Sequence, residues 1–144
     1  MFLVILLVAA CNTTKYVADN EFLLNKVKIK SDIKVISNED LLTYIRQTPN
    51  SEVFGLFKMQ LALYNWSGKD STKWINRWLK KIGDEPVIYN SQLTTITELE
   101  LKKLYANKGY INAEVTSEVS NTKKKQINLE YKIKSNQPYK LRGY

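Results

Sequence analysis

One side chain in this chain of 144 residues has the setting of a covalent attachment point. Cys11 follows an unbroken apolar run, Phe2–Ala10, and is preceded directly by the small residues Ala9 and Ala10. Small residues suit a narrow peptidase site, and a thiolate is the nucleophile that takes an acyl or alkyl group. It is the only cysteine, so an internal disulfide is impossible. The rest of the reactive inventory is short. There is no histidine, hence no imidazole base or imidazole metal ligand. Glu39/Asp40 and Asp84/Glu85 are neighbours in sequence, but the first pair suits a helix start and the second a turn. No glycine-rich phosphate loop occurs. These residues point to no enzyme, no cofactor and no metal site.

The apolar run is too short to cross a bilayer, which takes about 20 residues, and it fits the core of a secretion signal. With Val8-Ala9-Ala10-Cys11 it resembles the lipobox of bacterial lipoproteins, which implies cleavage before Cys11 and lipid on its sulfur. The competing reading is a buried N-terminal helix with a core cysteine. The polar run that starts at Asn12 disfavours it. The expected order is a signal peptide over 1–10, a tether over 11–21, and a membrane anchor through the lipid. The net charge of +8 is dispersed and alternates with apolar positions. That is the pattern of solvated faces rather than of a nucleic-acid patch; a basic surface beside an anionic membrane is a further option.

The folded part begins with a strand over Leu23–Ile36, bent near Ser31-Asp32, with Val27, Ile29, Ile33 and Val35 opposite a row of lysines. Ser37-Asn38-Glu39-Asp40 starts a short helix, which stops before Pro49. Val53–Trp66 admits both helix and strand; a loop followed by a helix is the better reading. A further helix carries Trp74, Ile75, Trp78, Leu79 and Ile82 on one face and ends at Gly83, taken as a left-handed cap. Its tryptophans are expected in the core or in a seam between helices.

The stretch 94–133 organises the rest. Thr95 with Glu98 makes a capping box, and Ile96, Leu99, Leu101, Leu104 and Tyr105 form the expected apolar face. Asn107-Lys108-Gly109 ends that helix. Ile111, Ala113, Val115 and Val119 then share the parity of a strand, Ser120–Lys125 is a polar loop, and Ile127, Leu129, Tyr131 and Ile133 alternate again. The fold class is therefore α+β: one helix-bearing layer against a half-polar sheet.

Leu104-x4-Gly109-Tyr110-x2-Ala113-x-Val115, then Tyr131-x-Ile133-x4-Pro138-Tyr139, resembles the end of a POTRA module, whose order is β-α-α-β-β. Tyr44-Ile45-Arg46-Gln47-x-Pro49-Asn50, Leu63-Tyr64-Asn65 and Gly83-x-Glu85-Pro86-Val87 look like the lipid-anchored branch of the BamA/TamA (bacterial surface antigen) family of outer-membrane assembly factors. The resemblance implies a POTRA-like domain over 22–136 with a helical insertion at about 51–90, and a truncated following repeat at 137–144. It implies an outer-membrane, periplasm-facing scaffold that guides unfolded outer-membrane clients, ahead of a C-terminal β-barrel that lies beyond this sequence. The alternative is an envelope lipoprotein with a structural or surface-binding role. In such a module the strand from Tyr110 to Ser120 pairs on one side only. Its edge, Tyr110, Ile111, Asn112, Ala113, Glu114, Val115 and Thr116, is then the expected client site by β-augmentation, unless 51–90 folds over it.

Anchoring has a direct test. Wild-type protein should incorporate labelled fatty acid and partition with membranes, and Cys11→Ser should do neither. A wild-type chain that takes up no label would remove the lipoprotein reading.

Overall fold

The computed structural model describes residues 14–51, 58–68, 70, 72–123 and 125–139. Cys11, the expected signal peptide over 1–10 and the last five residues lie outside them. In chain order the elements are β1 (Leu23–Ser31), α1 (Asn38–Thr43), α2 (Met59–Trp66), α3 (Trp74–Ile82), α4 (Ser91–Asn107), β2 (Glu114–Lys123) and β3 (Gln126–Lys134). This is the expected α+β order, with α2 and α3 inserted between the two helices of the basic module.

The strands form one sheet in the order β1-β3-β2. The last of the described strands is the central one: β3 pairs parallel with β1 and antiparallel with β2. Ile127, Leu129, Tyr131 and Ile133 of β3 are all buried, as their alternation requires. Leu129, Tyr131 and Ile133, together with Leu24, Ile36, Leu41 and Ile45, pack in one cluster with Leu101 and Tyr105 of α4, and the other sheet face stays polar.

β1 is shorter than its pattern suggested. A bulge at Asn25 lets Leu24 and Val27, of opposite parity, both face the core, opposite Ile127 and Leu129. Leu23 then points the other way. It is fully buried in a second cluster with Val17 and Leu61. The strand ends at Ser31 because Asp32 turns its carboxylate onto Ser135, accepting from the Ser135 backbone N–H and hydroxyl at 3.0 Å. Val35 is consequently exposed.

The second cluster alters the reading of 14–20. This segment, expected to be part of a tether, is packed where it is described. Val17 is buried, Lys15 Nζ donates to the carbonyls of Asn65 and Ser67 at 3.0 and 3.1 Å, and Lys125 Nζ donates to the Val17 carbonyl at 3.0 Å.

α4 starts four residues before the expected capping box. Asn90 is the N-cap, its side chain accepting from Gln92 N and Leu93 N, and Thr95 lies inside the helix. The buried face is Thr94, Thr97, Leu101 and Tyr105, while Ile96 and Leu99 are exposed. The reason is what α4 covers. Its first half packs on the irregular backbone of 45–50, which offers polar groups. Thr97 Oγ1 accepts from Arg46 N at 3.1 Å, and Thr94 Oγ1 accepts from Gln47 Nε2 at 2.8 Å. Gln47 also donates to the Asn90 carbonyl at 2.9 Å and accepts from Asn90 N at 3.0 Å. Asn50 does the same to the next chain segment, donating to the Glu85 carbonyl at 2.7 Å and accepting from Val87 N at 3.1 Å. Two buried side-chain amides thus stand in for a missing strand.

The helix stop is a Schellman motif. Tyr110 N donates to the Tyr105 carbonyl and Gly109 N to the Ala106 carbonyl, with Gly109 at φ +92°. Gly83, by contrast, has φ −89° and is no left-handed cap. A Cβ there would lie 2.5 Å from Tyr64 N, so glycine is needed for the close approach of α3 to α2.

Gln47→Leu should lower stability by about 2–4 kcal/mol in chemical denaturation, because the Asn90 N–H loses its acceptor and the Asn90 carbonyl and Thr94 hydroxyl, which keep their bond to each other, lose the buried amide donor. Tyr131 supplies a pH test. Its side chain is fully buried and its hydroxyl, facing Thr97 and Thr94, makes no full hydrogen bond. Burial pushes the phenol above its ordinary value of 10.0. A raised folded value means that the stabilisation is complete below the unfolded value and is lost as pH rises through the folded one. Tyr131→Phe should therefore change stability by less than about 1 kcal/mol at pH 7, and should lose less stability than wild type as pH rises beyond 10.

Candidate strand-binding edge

Backbone bonding across the sheet decides which groups remain free. Leu23 N donates to the Lys125 carbonyl and Asp32 N to the Ile133 carbonyl. The odd-numbered residues of β3 therefore turn their backbone groups toward β1, and the even-numbered ones toward β2. The partners of those even residues, Glu114, Thr116, Glu118 and Ser120, bond inward to Lys134, Lys132, Glu130 and Asn128. The backbone groups of Val115, Ser117, Val119 and Asn121 point away from the sheet.

β2 runs to Lys123, so the expected polar loop 120–125 is mostly strand, and the tip is a tight turn with Lys125 at φ +59°. A bulge between Asn121 and Lys123 ends the regular edge. The edge is regular from Glu114 to Asn121 and contains no proline. Its charges do not crowd the core side. Glu118 pairs with Lys132 and belongs to the polar face with Glu114. That pairing holds the Lys132 ammonium above its ordinary value.

The seven residues expected at the site divide in two. Glu114, Val115 and Thr116 are in β2. Tyr110, Ile111, Asn112 and Ala113 precede it, because the Schellman stop is followed by a further turn in which Ala113 N donates to the Tyr110 carbonyl. Ala113 is fully buried, and the Asn112 carbonyl accepts from Asn136 Nδ2 at 2.7 Å. Thr116 is in the strand with its backbone turned inward. Ser117, Val119 and Asn121 were missed. The alternation alone could have found them, since free backbone groups share parity with Val115, and only the inward or outward choice needed the register.

The described part of 51–90 lies at the opposite edge. Leu24 N donates to the Val87 carbonyl and Tyr89 N to the Phe22 carbonyl, so 87–89 extends the sheet beside the start of β1. Lys58 Nζ reaches the Asn25 carbonyl at 2.6 Å. Among the described residues no backbone partner lies along the outer side of β2.

The described residues also include no group of three or more acidic, histidine or cysteine side chains that could hold a metal, and no helix long and apolar enough to cross a membrane. Cys11 lies outside them.

No curated protein matches the chain. The family model described as POTRA, surface antigen variable number repeat, matches residues 22–136. That span opens just before β1 and closes just after β3, so it takes in the whole sheet, both packing helices and the inserted pair. The chain belongs to the POTRA family.

Proposed function

We propose that this POTRA domain is a scaffold of an outer-membrane protein assembly factor, held at the membrane by lipid on Cys11, facing the periplasm, and guiding client polypeptides without chemical catalysis. The carrying observation is the outer edge of β2, where Val115, Ser117, Val119 and Asn121 offer backbone donors and acceptors to an added strand.

The mechanism is β-augmentation. An extended client lies along β2 and completes the ladder, and main-chain bonds hold it with little regard to sequence. That suits a factor with many clients. Val119, 47% exposed on the core side of the strand, gives alternate client side chains an apolar contact. The polar groups on the other face, Glu114, Thr116 and Glu118, tolerate clients of varied charge. The absence of histidine and the structural uses of the paired acids support a non-enzymatic role. Glu39 and Asp40 sit in the first turn of α1, and Asp40 N is bonded to the Ser37 hydroxyl.

A proline scan separates the free edge from the internal ladder. Ser117→Pro removes an outward donor and blocks strand addition while leaving the hairpin bonds intact. It should stay folded by circular dichroism and weaken binding of an extended peptide of alternating apolar and polar residues about tenfold. Thr116→Pro removes an inward donor and should destabilise the hairpin itself. If Ser117→Pro stays folded and binds the peptide as tightly as wild type, the β2 edge is not the client site.

A further inference from the structure

α3 is an amphipathic helix turned inside out. Its half-buried positions are Asn76, Leu79 and Lys80, followed by Gly83, a spacing of three and four that marks the side facing the fold. Contacts agree. Asn76 Oδ1 accepts from Gly68 N at 2.9 Å, Gly83 abuts the backbone of α2, and Lys80 Nζ lies 6.0 Å from the Tyr16 ring centre. The other side carries Trp74, Ile75, Trp78 and Ile82. Trp74 is 69% exposed and Trp78 54%. An expected core face is therefore on the surface.

We propose that this face is a membrane-docking surface that lies in the headgroup region of an anionic bilayer. Three observations select a lipid surface over a protein partner. The apolar face is headed by tryptophan, whose ring is stable at a membrane interface because its body is apolar and its N–H finds water or headgroups. The cations Arg77 and Lys81 border the apolar arc on its Trp74 side, where long basic side chains reach anionic headgroups while their stems lie on apolar surface. The helix has no acidic residue and ends in Lys80 and Lys81, so its charge is complementary to an anionic leaflet along its whole length.

The fold also sets the orientation. The N-terminal segment enters beside this helical pair, with Lys15 on the Asn65 and Ser67 carbonyls and the Tyr16 ring edge-on to Tyr64 at 5.5 Å. The strand edge of β2 belongs to the opposite side of the sheet from 87–89, where the helical insertion rejoins it, so the client edge stays clear of the lipid. The docking face works whether or not Cys11 carries lipid.

All three tryptophans of the chain, Trp66, Trp74 and Trp78, lie in the helical insertion, so intrinsic fluorescence reports on it. Full-chain protein should show a blue shift on addition of vesicles of mixed phosphatidylglycerol and phosphatidylcholine. Lipids brominated on the acyl chains should quench the emission. Pure phosphatidylcholine should require about tenfold more lipid for the same shift. Trp74→Glu with Trp78→Glu, at positions already exposed, should keep the circular dichroism spectrum, and Trp66 should then show no quenching. The apolar run 2–10 or the lipid on Cys11 can bind a vesicle by itself, so co-sedimentation alone does not decide. A chain that co-sediments with unquenched tryptophans overturns the docking face and leaves the anchor standing. A blue shift that grows with protein concentration in the absence of vesicles overturns it in favour of a second copy of the chain.

Discussion

The central place of β3 is the constraint on which everything else depends. The last of the described strands must enter between β1 and β2. Its parallel partner is distant: Leu23 pairs with Gln126 and Ser31 with Ile133. Until that pairing forms, β2 and β3 are an isolated hairpin, which is marginal in water. Closing so long a loop is costly in entropy, but the cost grows only slowly with loop length. A helical pair can therefore be inserted in the crossover without much further penalty. Among the described residues the same placement leaves β2 at the margin of the sheet, with one row of backbone groups outside the ladder.

The insertion is tolerated because the crossover is tied down by polar groups rather than by a large apolar interface. Gln47 and Asn50 fix the backbone at Asn90, Glu85 and Val87 from a stretch that has no regular structure itself. Backbone groups buried without partners cost about 1–3 kcal/mol each. The two amides remove that cost at both ends of the rejoining segment. They also set where α4 begins, since Asn90 is at once the residue held by Gln47 and the N-cap of the helix. Around this frame the chain is asymmetric. Among the described residues no backbone covers the outer side of β2; the far side carries the helical pair, with its tryptophans outward and Arg77 and Lys81 beside them.

Two different kinds of exposed surface therefore come from the same packing. Among the described residues the sheet has three full strands, which leaves β2 at an edge, and an apolar helix face is exposed because α3 meets the fold through Asn76, Lys80 and Gly83 instead of its tryptophans. Exposed backbone groups are held by water until a strand is added, whereas exposed indole rings are apolar surface in contact with water, so the two proposed partners, a polypeptide and a lipid surface, differ in chemistry.

By itself the sequence determined what local rules govern. The α+β class, the buried alternation of Ile127, Leu129, Tyr131 and Ile133, the Ser37 cap of α1 and the positive φ of Gly109 all follow from periodicity or from the steric freedom of a single residue. The tertiary structure alone decided matters in which two local rules competed or a side chain served a distant one. Asn90 and Thr95 are both good helix caps, and the buried contact with Gln47 selected Asn90. Leucine and isoleucine on α4 promised an apolar face, but the surface under its first half is polar backbone, which threonine hydroxyls can satisfy and leucine cannot. The tryptophans of α3 have the spacing of a core face. They are outside because glycine at 83 allows the helix to approach α2 closely on its other side. Which residues of β2 are free to bind was open for the same reason: alternation divides a strand into two sets, and only pairing with a strand far along the chain says which set is spent.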